Sequence, residues 1–409
     1  MSDPDLASAQ GKRLLLLSEV FPPAKGGSGR WFAELYPRLQ RHQIHLLVGE
    51  HPRQDEFDGR LTSVCIRRAD LSMPFRGMSR ISSVRRYLQL RSLVSQYVRD
   101  QGIQEIHAAR PLSEGLVARL VRLTRKIPYT CFVHGEDVSV AKTSRELTVV
   151  TDWVLRGARR LIANSSFTRS LLVEEWKMPA AKVLLLNPGV DIEYFTPAED
   201  VGSVRARLGW TGRRVLLTVG RLQTRKGQDV AIQAVSQLSK SHPELLYAIA
   251  GDGADRDRLT SLAHELHIAD HVQFLGEVND RELLDCYRGC DYFALPNRTI
   301  AGDVEGFGMV LLEAQACGRP VIAGRSGGTV DALDENVTGV LLDCRGPDAL
   351  AQTLKDWLSN PEVPERMGAA ARSFVVDRYS WHSLANQADV LFLDSDLSTT
   401  SLVNGRAHG

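Results

Sequence analysis

Short apolar runs alternate with helical stretches along most of the chain, and this alternation restricts the possible fold more than any other feature. A first set of runs lies at 13–18, 44–48, 104–107, 129–133, 161–163 and 183–186. A second set lies at 214–219, 245–250, 272–275, 292–295, 320–323 and 340–342. Continuous apolar runs are typical of parallel strands covered on both faces. Two sets of six strand–helix units therefore predict an α/β fold with two doubly wound domains.

The turn signal Asn187-Pro188-Gly189 separates the two sets and marks the expected hinge. We predict a first domain at 12–190 and a second domain at 191–377. Polar tails that we expect to be disordered lie at 1–11 and 395–409. Doubly wound sheets bind ligands at the carboxyl ends of their strands, so a cleft between two facing sheets is the expected binding site.

Composition excludes several classes of protein. Lys and Arg number 50 and Asp and Glu 49, so no overall field would recruit nucleic acid. No apolar run approaches the roughly 18–20 residues of a membrane-spanning helix, and Leu14 to Leu17 is too short for a signal peptide. The six cysteines form no CxxC pair, and we expect buried thiols in a reducing compartment. These features predict a cytoplasmic protein without a nucleic-acid partner.

Basic residues are concentrated between residues 60 and 126, where 14 Lys or Arg stand against 4 Asp or Glu. Six arginines alternate there with apolar residues: Arg76, Arg80, Arg85, Arg86, Arg91 and Arg99. Such a basic amphipathic stretch predicts contact with the anionic inner face of a membrane, or with a phosphorylated acceptor. The alternative is a solvated helix face.

A glycine cluster, Gly26-Gly27-Ser28-Gly29, follows the first strand and leads into a helix expected near Arg30. Glycines there allow backbone amides to approach a phosphate at a helix N-terminus. The cluster lacks the GxGxxG spacing of a dinucleotide site. A tight strand-to-helix turn is the alternative interpretation.

Two cations, Arg221 and Lys226, follow the first strand of the second domain. Fixed cations at the carboxyl end of a strand can stabilise a departing diphosphate. The alternative is a pair of surface cations in a loop.

The segment from Glu305 to Glu313 carries the strongest signal, because two carboxylates bracket a glycine loop and the start of a helix near Gly308. The free amides at such a helix start suit phosphate. Glu313 lies roughly 7.5 Å along the helix axis from its start. The two carboxylates can therefore accept hydrogen bonds from hydroxyls on either side of a diphosphate, as in a nucleotide sugar. The alternative is two solvated helix charges.

Together these motifs resemble family 4 of the retaining glycosyltransferases. The matching segments are Gly26-Gly27, His134-Gly135-Glu136, Asn187-Pro188-Gly189-Val190-Asp191, Gly220-Arg221, Lys226-Gly227 and the block from Glu305 to Glu313. The resemblance runs from about Arg13 to about Leu393. It implies the GT-B fold, with two facing Rossmann-like domains, an interdomain cleft, and acceptor binding by the first domain. It also implies a last helix at about 378–394, including Trp381, that packs back on the first domain.

The resemblance assigns roles to residues of this chain. The expected catalytic residues are His134, Arg221, Lys226 and Glu305. Arg221 and Lys226 would hold the donor diphosphate, Glu305 the transferred sugar, and Glu313 the ribose. Further donor contacts are expected from Gly26, Gly27, Val278, Gly306, Phe307, Gly308, Met309 and Val310. Asp285 lies, like Val278, in a region that lines the base in relatives.

The sequence from Asn297 to Gly308 is similar to the corresponding segment of bacterial phosphatidylinositol-mannoside-type mannosyltransferases, which use GDP-mannose. The expected reaction moves a hexose from GDP-mannose, or otherwise a UDP-sugar, to an acceptor hydroxyl in glycan, glycolipid or exopolysaccharide synthesis. No metal or other cofactor is expected, because no ligand cluster suggests one and the cations supply the charge. The acceptor, whether glycan, lipid or small molecule, is not indicated. A sugar-nucleotide epimerase and a non-catalytic nucleotide-sugar-binding protein are the alternatives.

Overall fold

The computed structural model describes residues 11–24, 26–73 and 77–393. The chain divides into two compact units. The first contains the residues up to Ala163, Arg169–Leu186 and the residues from His382 onwards. The second contains Asn164–Thr168 and Asn187–Trp381. The predicted tails, apart from Gly11, and Arg76 of the basic segment lie outside the described residues.

The first unit is built on a parallel sheet of seven strands. They are β1 (Arg13–Ser18), β2 (Gln43–Gly49), β3 (Cys65–Ala69), β4 (Glu105–Ala108), β5 (Tyr129–Val133), β6 (Arg160–Ala163) and β7 (Val183–Leu185). Their order across the sheet is β3-β2-β1-β4-β5-β6-β7. In the centre, Leu16 of β1 pairs with Leu46 on one side and His107 on the other. Because every neighbouring pair is parallel, the carboxyl ends of all seven strands lie at one edge.

Helices lie between and after the strands of the first sheet. They are α1 (Gly27–Leu35), α2 (Gln54–Asp58), α3 (Ile81–Gln101), α4 (Leu116–Arg125), α5 (Glu136–Ala141), α6 (Arg145–Gly157) and α7 (Ser166–Ser170). From Leu14 to Leu17, β1 is entirely buried, as expected for a strand covered on both faces. The described helices include none that is both long and apolar enough to cross a membrane.

The edge strand β3 is absent from the sequence prediction, which gave six strands for this sheet. Its sequence, CIRRA, has no buried residue and pairs on one side only. The same strand corrects the expectation of buried thiols: Cys65 is exposed, whereas the other five cysteines are buried and all six are unpaired.

The second unit is built on a parallel sheet of six strands. They are β8 (Arg214–Val219), β9 (Leu245–Ala250), β10 (Val272–Gly276), β11 (Tyr292–Leu295), β12 (Val321–Gly324) and β13 (Gly339–Leu342). Their order is β10-β9-β8-β11-β12-β13, which is the doubly wound arrangement predicted from the sequence. Hydrophobic clusters pack on both faces of the sheet.

The remaining helices are α8 (Val201–Leu208), α9 (Gln228–Leu238), α10 (Arg256–Glu265), α11 (Asp280–Gly289), α12 (Met309–Ala316), α13 (Asp348–Ser359), α14 (Glu362–Tyr379) and α15 (Trp381–Leu391). Nearly all of α15 belongs to the first unit, because the division falls after Trp381. Arg160 donates to the carbonyls of Leu391 and Leu393, and Asp389 accepts from the backbone of Gln40 and Arg41.

Candidate active site

The loop after β8 carries Lys226 to the carboxyl edge of the second sheet. Thr224–Lys226 forms a single 3-10 turn, and Gly227 ends it with φ 77°. A Cβ on Gly227 would lie 1.9 Å from the carbonyl oxygen of Pro296, which follows β11. Only glycine allows this contact between the two loops, so the contact fixes where the cationic turn lies.

Glu305 is held by two cations of that turn. Arg225 Nη1 lies 2.7 Å from Glu305 Oε2, and Lys226 Nζ forms an ion pair with the same oxygen. The Glu305 side chain is 12% exposed. Burial acts to raise its pKa, but Lys226 and Arg225 outweigh burial and hold the pKa below its ordinary value. Glu305 is therefore a carboxylate at neutral pH.

Arg225 is a site residue that the sequence analysis missed. Its guanidinium is 8% exposed and also lies 3.1 Å from Asp303. Arg221, by contrast, is exposed, and it forms no ion pair with the residues that the structure describes. The structure thus brings Lys226 and Glu305 together and shows no ion pair between Arg221 and Glu305. Arg225 lies next to Lys226 in the segment TRKG, but the sequence does not show which of the cations in this loop are buried.

The loop that follows Glu305 leads directly into the N-terminus of α12. Gly308, at φ 90°, precedes Met309, the first residue of the helix. No side chain among the described residues caps this helix. Phe307 is buried, with its ring centroid 6.0 Å from that of Tyr379. The first amides of α12, including those of Met309 and Val310, are thereby available to an anion.

Two glycines after β12 support this loop, and neither was a predicted site residue. The amide of Gly328 donates to the carbonyl of Glu305 at 2.8 Å. A Cβ on Gly327 would lie 2.2 Å from the Glu305 oxygen, and one on Gly328 would lie 2.0 Å from the Gly306 oxygen. The two strand-end loops therefore pack backbone against backbone.

Glu313 is the fifth of the eight residues of α12 and is 3% exposed. The hydroxyl of Tyr287, on α11, donates to Glu313 Oε2 at 2.7 Å. Val278 is half-buried two residues before α11 and packs on the core. Asp285 forms a bidentate ion pair with Arg207, so its carboxylate is engaged within the second unit.

In the first unit, Gly26 and Gly27 are exposed after β1. Helix α1 begins at Gly27, three residues earlier than predicted. The amides of this glycine cluster therefore belong to the first turn of the helix. Arg110, after β4, approaches the cluster with Nη2 3.4 Å from Ser28 Oγ.

His134 follows β5, with its ring edge-on to Trp31 and Phe32. Its Nε2 lies 2.9 Å from the carbonyl oxygen of Ala109. Because a carbonyl only accepts, Nε2 must carry the hydrogen, which assigns the tautomer. Burial lowers the pKa of His134 to about 4, although the Ala109 carbonyl opposes the shift. His134 is therefore neutral at pH 7.

Glu114 is a second residue that the sequence analysis missed. Its Oε1 accepts from the amide of Glu19, at the end of β1, over 2.9 Å. The carboxyl is 3% exposed, and its Oε2 has no partner among the described residues. Burial raises its pKa to about 7. The preceding residue, Ser113, has φ 68°. Glu114 therefore holds the start of the loop that leads to the glycine cluster.

No group of three or more His, Cys, Asp or Glu side chains within 11–24, 26–73 and 77–393 is arranged to hold a metal ion.

The two parallel sheets and this site define a class, and comparison with known proteins agrees. The family model "Glycosyl transferases group 1" matches residues 202–374, and "Glycosyltransferase Family 4" matches residues 25–194. The chain belongs to family 4 of the glycosyltransferases, has the GT-B fold and is a hexosyltransferase, which confirms the predicted class.

Individual relatives are similar over nearly the whole chain. A GDP-mannose-dependent alpha-(1-6)-phosphatidylinositol monomannoside mannosyltransferase of Mycolicibacterium smegmatis is 30% identical over 90% of this chain and 95% of its own. The protein of that name from Mycobacterium tuberculosis is 31% identical over 91% of this chain and 96% of its own length. The crystal structure of Anabaena HepE in complex with UDP has a TM-score of 0.78 at 20% identity, covering 93% of this chain and 99% of that one.

Proposed function

We propose that this enzyme transfers mannose from GDP-mannose to an acceptor hydroxyl with retention of the anomeric configuration. The observation that carries the proposal is the buried Glu305, held by Arg225 and Lys226 directly before the uncapped start of α12. This arrangement combines hydroxyl acceptors, a cation and free amides, which are the groups that a sugar diphosphate needs.

In the proposed complex, Lys226 and the amides of Met309 and Val310 bind the diphosphate. Arg221 supplies a second cation from the exposed loop after β8. Glu305 accepts hydrogen bonds from the sugar, beside the amides of Gly306, Phe307 and Gly308, and Glu313 accepts from the ribose. Val278 lies beside the base.

The first unit contributes Gly26, Gly27 and His134 to substrate binding in this proposal. The amide of Gly27 suits a phosphate because it lies in the first turn of α1. His134 is neutral at pH 7, so it suits a sugar hydroxyl better than an anion. Its catalytic role is to position the sugar carbon.

The chemical step proposed is front-face transfer. The bond between the anomeric carbon and the diphosphate oxygen breaks, and the acceptor oxygen bonds to the same face of that carbon. The proton of the acceptor hydroxyl passes to the departing phosphate oxygen. Glu305 serves hydroxyl binding, so the protein contributes positioning and stabilisation of the leaving group.

The choice of GDP-mannose rests on the relatives, since the mycobacterial proteins are named as GDP-mannose-dependent mannosyltransferases. Thermal-shift measurements with GDP-mannose, UDP-glucose, UDP-N-acetylglucosamine and ADP-glucose test it, because a ligand that binds only the folded protein raises the melting temperature. We expect the largest rise with GDP-mannose. A larger rise with a UDP-sugar would indicate that this sugar nucleotide, and not GDP-mannose, is the donor. The assignment as a transferase would not change.

Incubation with radiolabelled GDP-mannose and cell lipids or glycans then tests transfer. An isomerised donor in the absence of acceptor would instead indicate the epimerase alternative. Binding of the donor with neither hydrolysis nor transfer would indicate a non-catalytic binding protein. Proton NMR of the product distinguishes retention from inversion.

We further propose that the enzyme works in the cytoplasm and docks on the inner face of the membrane through α3. The apolar residues of this helix are divided: Leu90 and Val94 are buried, whereas Ile81 is 89% exposed and Leu88 50% exposed. Ile81, Arg85 and Leu88 share one helix face at i, i+4 and i+7. An exposed face with apolar and basic residues suits an anionic bilayer surface.

Co-sedimentation with vesicles of phosphatidylglycerol and phosphatidylcholine tests the docking. We expect the double variant Ile81→Ser and Leu88→Ser to lose most of the binding. The matched control is Val149→Ser on α6, where the valine is 68% exposed. Equal binding by wild type and the double variant would contradict the docking.

A further inference from the structure

A second concave site lies on the first unit, between α3 and α4. Its volume is about 270 Å³, and every side chain that lines it is polar or charged. Three of the lining residues are arginines: Arg91 and Arg99 on α3, and Arg125 at the end of α4. None of its lining residues is acidic. Three guanidinium groups around one small cavity repel each other, and an anion between them would relieve that repulsion.

The cavity also contains hydrogen-bond donors that the described residues leave unused. Ser95 is 7% exposed, and its hydroxyl has no partner among those residues. A serine inside a helix commonly donates to the carbonyl four residues earlier, and Ser95 does not. The Nε of Arg91, one helical turn away, is also buried without a partner. Leaving such groups unpaired costs free energy, so each points to a ligand.

Neighbouring charges leave the cavity positive. Arg99 Nε lies 3.3 Å from Asp100, but the Arg99 side chain is 60% exposed and this pair is weak. Thr124 uses its hydroxyl hydrogen on the carbonyls of Leu120 and Val121. The free donors thus come from α3 and from Arg125.

The cavity is distinct from the candidate active site. The last turns of α3 and α4 lead into β4 and β5, so the cavity lies toward the amino ends of the strands. Gly27, Glu114 and His134 follow β1, β4 and β5 at the carboxyl edge. In a parallel sheet these are opposite edges.

We propose that this cavity binds a phosphate group. Planar guanidinium groups form paired hydrogen bonds with phosphate oxygens, which favours phosphate over a monovalent halide. Pockets for drug-sized ligands measure roughly 300–1,000 Å³, so 270 Å³ suits a smaller phosphorylated molecule or a single headgroup.

Calorimetric titration of the full-length protein with inorganic phosphate and pyrophosphate tests the soluble source. We expect saturable binding that Arg91→Gln and Arg125→Gln each weaken about tenfold or more. Lys126→Gln is the matched control, because it removes the same charge one residue from Arg125 and Lys126 does not line the cavity. Ser95→Ala should also weaken binding without loss of thermal stability, since it removes an unpartnered buried hydroxyl.

Flotation with phosphatidylcholine vesicles, with and without phosphatidic acid, tests the lipid source. Binding to phosphatidic acid that Arg125→Gln reduces and Lys126→Gln preserves would support the site with a lipid ligand. The proposal is overturned if wild type binds neither probe. It is equally overturned if binding survives in Arg125→Gln, or falls as far in Lys126→Gln. None of these readouts depends on sugar transfer, so failure here leaves the proposed transferase activity intact.

Discussion

Arg225 Nη1 donates to Glu305 Oε2 across 2.7 Å, and both side chains are shielded from solvent. Glu305, which we propose as the sugar ligand, is thus held in place by Arg225. Arg225 is not one of the groups that we propose to bind the diphosphate. Arg225 is a positioning residue in this arrangement.

Replacing Arg225 by Leu should destabilise the protein by about 2–3 kcal/mol, because among the described residues Glu305 then keeps Lys226 alone as a buried cationic partner. Urea unfolding followed by circular dichroism measures the change. Arg60→Leu is the control, since its pair with Glu56 is mostly exposed and should contribute little. A similar small effect at both positions would contradict the buried role of Arg225.

Lys226→Ala should lower kcat/KM for sugar transfer by about 10²–10³, the usual loss when one preorganised donor to a developing anion is removed. The fold should persist, because Arg225 still pairs with Glu305. Lys240→Ala, an exposed lysine of the same unit, is the control. Turnover at the wild-type rate by a folded Lys226→Ala protein would refute the assignment.

Tyr287→Phe should weaken donor binding about fivefold, because it removes the hydroxyl that orients Glu313 and one such hydrogen bond contributes about 1 kcal/mol. Titration with GDP-mannose measures the affinity. Tyr247→Phe is the matched control: its hydroxyl is also buried and donates to Thr218 at 2.9 Å. If both variants bind donor equally well, Glu313 does not contact it.

Gly328→Ala should reduce donor affinity by an order of magnitude or more, because the new Cβ would meet the Gly306 oxygen at 2.0 Å and displace the loop before α12. Thermal-shift titration with donor follows the loss. Gly346→Ala is the control, since nothing lies within 4 Å of its Cβ position. Unchanged affinity in Gly328→Ala would place the donor away from this loop.

Glu114→Gln should alter the pH dependence of stability. The pKa of Glu114 is raised to about 7 in the folded protein, against about 4.3 when unfolded. Its contribution to stability is therefore complete below the unfolded pKa and is lost as pH rises through about 7. Melting temperatures of wild type and variant, measured from pH 4 to 8, should diverge in favour of the variant as pH rises. Parallel curves would show that Glu114 does not titrate in this range.

The sequence predicted the two doubly wound domains because buried parallel strands are continuous apolar runs, and β1, β5, β8, β9 and β11 match their predicted bounds. It missed β3 because an edge strand needs no such run, and the half-exposed CIRRA segment has none. The start of α1 was placed too late because glycines are poor helix formers, and tertiary packing overrides that preference.

The sequence placed Glu305 just before the start of α12 and Glu313 within the helix, because the spacing along the chain decides both positions. The candidate site was not predictable where packing between elements decides it. The sequence carries no local sign that Arg225 is buried and Arg221 exposed; in the structure Arg225 pairs with Asp303 and Glu305 from neighbouring loops. Glu114 carries no motif, and its importance comes from meeting the amide of Glu19, which is 95 residues away in the chain.

The return of α15 to the first unit makes that unit discontinuous along the gene. Phe392 lies against the His107 ring, with centroids 4.5 Å apart, and Asp389 lies beside His42. A recombinant fragment that stops at Leu186 would leave these groups uncovered, so isolating the amino-terminal half requires grafting 382–393 onto it. Residues 187–381 contain all of the second unit except the five residues Asn164–Thr168, so the half that we propose to bind the nucleotide is the more practical one to express alone.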